Sequence, residues 1–323
     1  MPAANRLEKW RFCYNELVIT ETPLILGFVA DLLFVVRIEQ AARQLGYQVQ
    51  LVERASQIAP QITSETTPQI AASDSKAPRR QLAEHLVGPG AALLEQITRW
   101  KPALIIFDLG NEEIPWQEWI TLLSSVPATR RIPILCYGSH VDVETLREAR
   151  AAGATSVVAR SRFTSDLAGL IEKHARQPDY QAIQAACDQP LPPMAVRGLE
   201  EFNRGEYFEA HESLETAWME EQGQGRELYR AILQVAVAYY QIRRGNYKGA
   251  AKMFLRLRQW IDPLPEVCRG VEVEQLRREA EEVRQEMLRL GPERIVQFDH
   301  GLLRPVRYTL TGEVKDGGKI LDE

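Results

Sequence analysis

Cysteine and histidine are scarce: the 323-residue chain has four of the first and five of the second. Cys13, Cys136, Cys187 and Cys268 are widely scattered with no C-x-x-C pair. That spacing suggests neither a zinc knuckle nor a disulfide scaffold, and reduced thiols are expected. Long apolar runs are absent too. The longest near the start, LILGFVADLLFVV, is about thirteen residues, is interrupted by Asp31, and is too short to span a bilayer. The opening MPAANRLEKWRFCYNEL lacks the apolar core and small-residue cleavage pattern of a signal peptide. No membrane partner and a cytoplasmic location follow as expectations. There is no basic excess either. A net charge of −5 argues against nonspecific nucleic-acid binding.

The composition, 45% hydrophobic and 26% charged, is that of a globular protein, and the length favours two domains over one. From residue 24 to about 175, short apolar runs alternate with helical periodicity: PLILGFVA, YQVQLV, ALIIFD, IPILCYG and SVVAR read as strands with helices between them. Five strands alternating with helices imply a parallel sheet covered on both faces, with ligands at the carboxyl ends of the strands. A stretch rich in Ser, Thr, Gln and Pro, about 54–80, has no period and reads as a disordered insertion. The Pro-rich, polar segment 177–193 reads as a linker. Beyond it, helical periodicity runs through 195–218, 226–242, 247–260 and 272–290, and the C-terminal domain is expected to be all helical. The division is thus a 1–22 extension, an α/β domain over 23–176, a linker, a helical domain over 194–300, and a 301–323 tail holding at most a short hairpin.

The order of elements, with FDLG closing the third strand, IPILCYGSH forming the fourth and AGATSVVARSRF leading through the fifth, resembles a response-regulator receiver domain of the flavodoxin-like fold. In that family an aspartate ending the third strand accepts a phosphoryl group. An acidic pair after the first strand binds magnesium, a hydroxyl residue ends the fourth strand, and a lysine ends the fifth. The resemblance places the phosphoacceptor on Asp108. Of the acidic pair only Asp31 is present, beside Ala30. The hydroxyl position falls on Gly138 with Ser139 one place later, and the lysine position holds Arg160. Magnesium at Asp31 and Asp108 would be held by one carboxylate fewer, and arginine is a wider, differently hydrated cation than lysine. These departures point to a pseudo-receiver that docks a partner, with true phosphorylation of Asp108 as an alternative.

In the second half, RGEYFEAHESL (204–214) and RGNYKGAAKMF (244–254) align at an offset of about forty residues. Gly205 and Gly245 suit tight interhelical turns, Tyr207 and Tyr247 open the next helices, and Ala210 and Ala250 permit close helix approach. Tyr207, His211, Glu215 and Trp218 share one helical stripe. The second copy has Ala251 and Lys252 where the first has His211 and Glu212, so the repeat itself does not require these polar groups. Two explanations stay open. His211 and Glu215, with Glu212 nearby, supply two ligands to zinc or iron, completed by Asp299 or His300, in a metal-dependent hydrolase. Or His211, Glu215 and Trp218 form a hydrogen-bonded stripe facing AILQVAVAYYQI, with Gln234, Tyr239 and Tyr240 as partners. The segments FNRGEYFEAHESLETAW and LYRAILQVAVAYYQIRRGNYKGAAKMF resemble the helical family known as domain of unknown function 309. That resemblance implies a compact helical bundle and no activity. The leading expectation is a non-enzymatic signalling or interaction protein with a protein partner or self-association. No DNA-reading helix or basic segment follows the linker.

Overall fold

The computed structural model describes residues 22–58, 89–310 and 313–315. Residues 1–21 of the 1–22 extension and most of the 54–80 insertion lie outside the described residues. The first half begins β1 (Leu24–Phe28), α1 (Leu32–Gln44), β2 (Gln48–Leu51). It continues α2 (Pro89–Trp100), β3 (Leu104–Asp108), α3 (Trp116–Ser125), β4 (Ile134–Gly138), α4 (Val143–Ala151), β5 (Ser156–Ala159), α5 (Arg160–Ser165) and α6 (Leu167–His174). The five strands are parallel in the order β2-β1-β3-β4-β5, the doubly wound order that leaves a switch point between β1 and β3.

Alternation along the strands builds two cores. Leu26, Phe28, Ile105, Phe107, Ile134 and Cys136 face α2, α3 and α4, where they meet Leu93, Ile97, Trp119 and Leu123. The other set, Ile25, Leu104, Ile106, Leu135 and Tyr137, faces α1, α5 and α6 with Ile38, Phe163 and Ile171. All five residues of β3 are buried, as expected for a strand covered on both sides.

The second half contains α7 (Tyr180–Cys187), α8 (Pro193–Asn203), α9 (Tyr207–Glu220), α10 (Arg226–Arg243), α11 (Tyr247–Ile261) and α12 (Val273–Arg294). Helix pairs α8/α9 and α10/α11 turn at Gly205 and Gly245, whose φ values of 76° and 68° lie in the left-handed region. Gly198 lets α8 approach α9 closely, because a Cβ there would stand 2.7 Å from Leu214 Cγ. The middle of the bundle is α10, which buries Tyr229, Ile232, Val235, Ala236 and Tyr239.

Two expectations are corrected. The C-terminal half is not all helical: besides the short hairpin allowed for the tail, β8 (Tyr308–Leu310) and β9 (Glu313–Lys315), it has β6 (Val267–Cys268) and β7 (Val271–Glu272), and the four form a small antiparallel sheet. Its strands are too short to show an alternating pattern, and the tail joins the bundle core through Val306 and Tyr308. Nor are all the thiols reduced. Cys187 and Cys268 form a disulfide across 81 residues of sequence. The segment read as linker contains α7, and Arg269 fastens it to the bundle. The Arg269 amide donates to Cys187 O at 2.7 Å and its guanidinium to Ala186 O, Tyr229 Oη and Glu221. Nothing local in the sequence announces a pairing over that separation. Cys136 is a free, buried thiol, and burial pushes its pKa up.

The halves meet where α2 crosses α11 and α12. Glu95 of α2 lies 3.4 Å from Arg258 and 2.5 Å from Arg284, and both arginines also contact Glu281. Lys101 pairs with Asp262 at 3.2 Å, Gln259 donates to Pro127 O, and Leu255 packs against the α/β core.

Candidate functional site

The first place to look is the carboxyl end of the parallel sheet. Asp108 ends β3, is 4% exposed, and accepts from the Gly110 amide at 3.0 Å. Arg160, the first residue of α5, reaches it at 3.5 Å and stacks over Phe34 at 5.3 Å. Tyr137, stacked on Phe163, lies beneath; burial raises its hydroxyl pKa and the charge of Asp108 raises it further. Asp31 caps α1 by accepting from the Leu33 amide at 2.9 Å. Ser139 is exposed and closes its own turn on the Val141 amide. At Gly138 a Cβ would lie 3.2 Å from Leu146 and 3.4 Å from Leu109, so the hydroxyl position of the receiver family is packed with leucine. Magnesium in a receiver needs carboxylates free to bind it. Here Asp108 faces an arginine, Asp31 serves a helix cap and position 30 is alanine, so the residues present do not fit the ion.

The second place is a cleft of about 300 Å³ between the halves. Its floor is the stripe of α9: His211, Glu215 and Trp218, with Gln234 of α10 beside them. Its other wall is the loop between α3 and β4, which contributes Pro127, Arg130 and Arg131, and α11 supplies Arg256, Gln259 and Trp260. The periodicity of α9 explains the division of labour along its stripe. Tyr207, at the start, is buried against Phe202 and Tyr239, whereas His211, Glu215 and Trp218 are half-buried and reach the cleft.

Aromatic and guanidinium groups alternate across this cleft. Arg226 lies 4.9 Å and Arg230 4.5 Å from the Trp218 ring, Arg230 is also 4.1 Å from Trp260, and Arg131 covers Trp260 at 4.7 Å. The ladder runs from α10 to the α/β domain, each step a cation–π contact. Arg230 has Glu227 as an ion partner at 3.2 Å. The guanidinium groups of Arg130 and Arg256 have no carboxylate partner among the described residues. Burial and then the charge of Arg130 hold Arg256 below the usual arginine pKa; Arg230 is lowered by burial, with Arg131 and Arg226 adding to it. Trp218 Nε1 and Gln234 Oε1 are buried polar atoms without a hydrogen-bond partner among the described residues.

The hydrogen-bonded stripe read from the sequence is therefore absent: Gln234 comes to His211 and Glu215 but leaves its oxygen unpaired, while Tyr239 packs on Tyr207 and Tyr240 on Phe208. The metal cluster is not assembled either. Glu212 is exposed, Asp299 caps the turn at Gly301, and His300 packs near Phe298. Among the described residues no three His, Cys, Asp or Glu side chains come together in a way that could hold a metal ion. Arg130, Arg131, Arg230, Arg256 and Trp260 escaped the sequence reading. The adjacent Arg130-Arg131 pair and the i, i+4 spacing of Arg226 and Arg230 were the available signals, and neither points across a domain boundary.

No curated protein matches the sequence. Several solved structures match it, and two of them align with about half of the chain. One is the phosphorylated cyanobacterial phytochrome response regulator RcpA, at 15% identity, covering 47% of this chain and 93% of that one with a TM-score of 0.32. The other is a response regulator in red light signaling of R. palustris, at 11% identity, covering 48% and 98% with a TM-score of 0.32. Residues 195–253, from α8 into α11, match the model described as Domain of unknown function (DUF309). The chain thus joins an α/β domain of the doubly wound order β2-β1-β3-β4-β5 to a helical domain in which residues 195–253 match that family model.

Proposed function

We propose that this protein acts by binding and not by turnover: the receiver-like domain is a fixed wall of a ligand cleft, and the DUF309 helix α9 is its floor. The observation that carries the reading is the ion cluster at Glu95, which ties α2 to Arg258 and Arg284. The same docked face sets Arg130 and Arg131 opposite His211, Glu215 and Trp218. A buried, multiply paired cluster of this kind specifies one docked geometry more than it adds stability. The supporting half of the reading is the state of Asp108, which is engaged by Arg160 and by the Gly110 amide, with no second carboxylate in the family's position.

On this reading the bound state is passed to a protein partner or to a second copy. Among the described residues no helix is long and apolar enough to cross a membrane. The cytoplasmic location is part of the proposal, and the Cys187–Cys268 bond, of a kind rare in reducing compartments, is the observation that bears against it. The test is incubation of the full chain with acetyl phosphate and magnesium, followed by intact-mass measurement. No phosphoryl adduct is expected. An adduct that disappears in Asp108→Asn would overturn the reading in favour of a working phosphorelay receiver.

A further inference from the structure

The cleft is unusual in its charge. Four arginines, Arg130, Arg131, Arg230 and Arg256, converge on it from three separate elements, against Glu215 in the cleft and Glu227 beside Arg230. Packing like charges together disfavours the charged form of each, and an anion placed between them reverses the sign of that interaction. Guanidinium forks are also the groups best shaped for phosphate and carboxylate oxygens. Arg130 and Arg256 have no ion partner among the described residues, while the Trp218 and Trp260 rings hold Arg230 in place. At about 300 Å³ the cleft is at the small end of ligand sites. Gln234 Oε1 and Trp218 Nε1 add an acceptor and a donor awaiting partners, and Glu215 adds a second acceptor.

We infer that the cleft binds a small polyanion bearing phosphate or carboxylate groups, its anionic end at Arg130 and Arg256 and a hydrogen-bond donor of the same molecule at Gln234 and Glu215. This rests on the cleft of the proposed function and names what fills it. His211, on the floor beside Glu215, is a further donor for the anion.

The full chain, titrated at neutral pH and low salt with inorganic pyrophosphate and separately with citrate, gives the test, because Trp218 and Trp260 report occupancy by fluorescence. Saturable binding of at least one probe is expected, and the pair separates a phosphate from a carboxylate preference. Arg256→Gln and Arg130→Gln each weaken it about tenfold, as the loss of one charge-assisted contact requires. Glu215→Gln tightens it by removing the opposing charge. Arg147→Gln, an exposed arginine of α4 remote from the cleft, leaves it unchanged. Absence of saturation for both probes up to about 10 mM, or equal weakening by Arg147→Gln, would overturn the inference. Glu95→Ala separates the two levels. Binding that survives Glu95→Ala but fails in Arg256→Gln keeps the anion site and removes the need for docked walls. No probe binding in a wild-type chain that Glu95→Ala visibly undocks leaves the walls and removes the anion.

Discussion

The two sites of this molecule use the same residue types to opposite ends. At the carboxyl end of the parallel sheet, a carboxylate and an arginine face each other: Asp108 has Arg160 and Asp31 has a helix N-terminus. In the cleft between the halves, four arginines outnumber the carboxylates Glu215 and Glu227, and Arg130 and Arg256 have no carboxylate partner among the described residues. A site whose charges are closed on themselves has little to offer a ligand, whereas one whose charges are open is waiting for a counterion. The sheet's contribution is instead the loop after α3, carried at the same docked face as the α2 side chain that fixes the two domains together.

That contrast can be broken most severely at the dock. Glu95→Ala removes a carboxylate shared by Arg258 and Arg284, whose side chains are 17% and 6% exposed, and leaves two mostly buried cations with Glu281 as the carboxylate they still share. The expected loss is about 3 kcal/mol of unfolding free energy by denaturant titration. A cost near zero would mean that the halves do not depend on this contact. Next in size is Gly138→Ser, which places the receiver family's hydroxyl in its family position. Crowding against Leu146 and Leu109 costs about 1 kcal/mol, read as a lower denaturation midpoint. The variant gains no acetyl phosphate reactivity, because position 30 still lacks the second carboxylate of the acidic pair. A gain would show that one hydroxyl was all the pocket lacked.

Smaller, and opposite in sign, is the effect of Arg256→Gln. Removing an uncompensated, half-buried cation is expected to stabilise the chain by about 0.5 kcal/mol in anion-free, low-salt buffer. Adding pyrophosphate abolishes that advantage. Destabilisation in the same buffer would show that Arg256 is satisfied within the protein.

The smallest effect is a pH dependence of the dock. Burial raises the pKa of Glu281, but hydrogen bonds from Gln285 and Arg258 and the charges of Arg284 and Arg258 outweigh it, so the net shift is downward from 4.5. A depressed carboxyl contributes stability that is present above the unfolded value and disappears as pH falls through the folded one. The wild-type chain therefore loses stability below about pH 4.5 more steeply than Glu281→Gln, which has no such titration, as thermal unfolding across that range checks.

The legible parts of the molecule were those written locally. The β3 run LIIFD followed by Leu109 and Gly110 reveals both the buried parallel strand and the position of Asp108, because a strand covered on both faces is apolar until its carboxyl end, where the chain leaves the sheet. The repeat around Gly205 and Gly245 is equally local, since each glycine supplies the left-handed residue of its own turn. His211, Glu215 and Trp218 could be grouped because helical spacing places them on one stripe, but spacing alone does not say what that stripe faces. It faces a loop about eighty residues earlier in the chain, and the arginines that define the cleft come from three elements with no common motif. The Cys187–Cys268 pair and the small sheet were hidden for the same reason, one joined across 81 residues and the other built from strands of two and three residues. Tertiary juxtaposition is the missing information in each case.

The proposed function requires the α/β half to be a fixed wall and not a phosphorylation switch. The direct measurement is amide hydrogen exchange over segments 126–133 and 207–220 in the wild-type chain, in Glu95→Ala, and in wild type after acetyl phosphate with magnesium. The prediction is that Glu95→Ala raises exchange in both segments together and that the phosphodonor changes neither. Increased exchange in both segments on phosphodonor treatment, lost in Asp108→Asn, would contradict it.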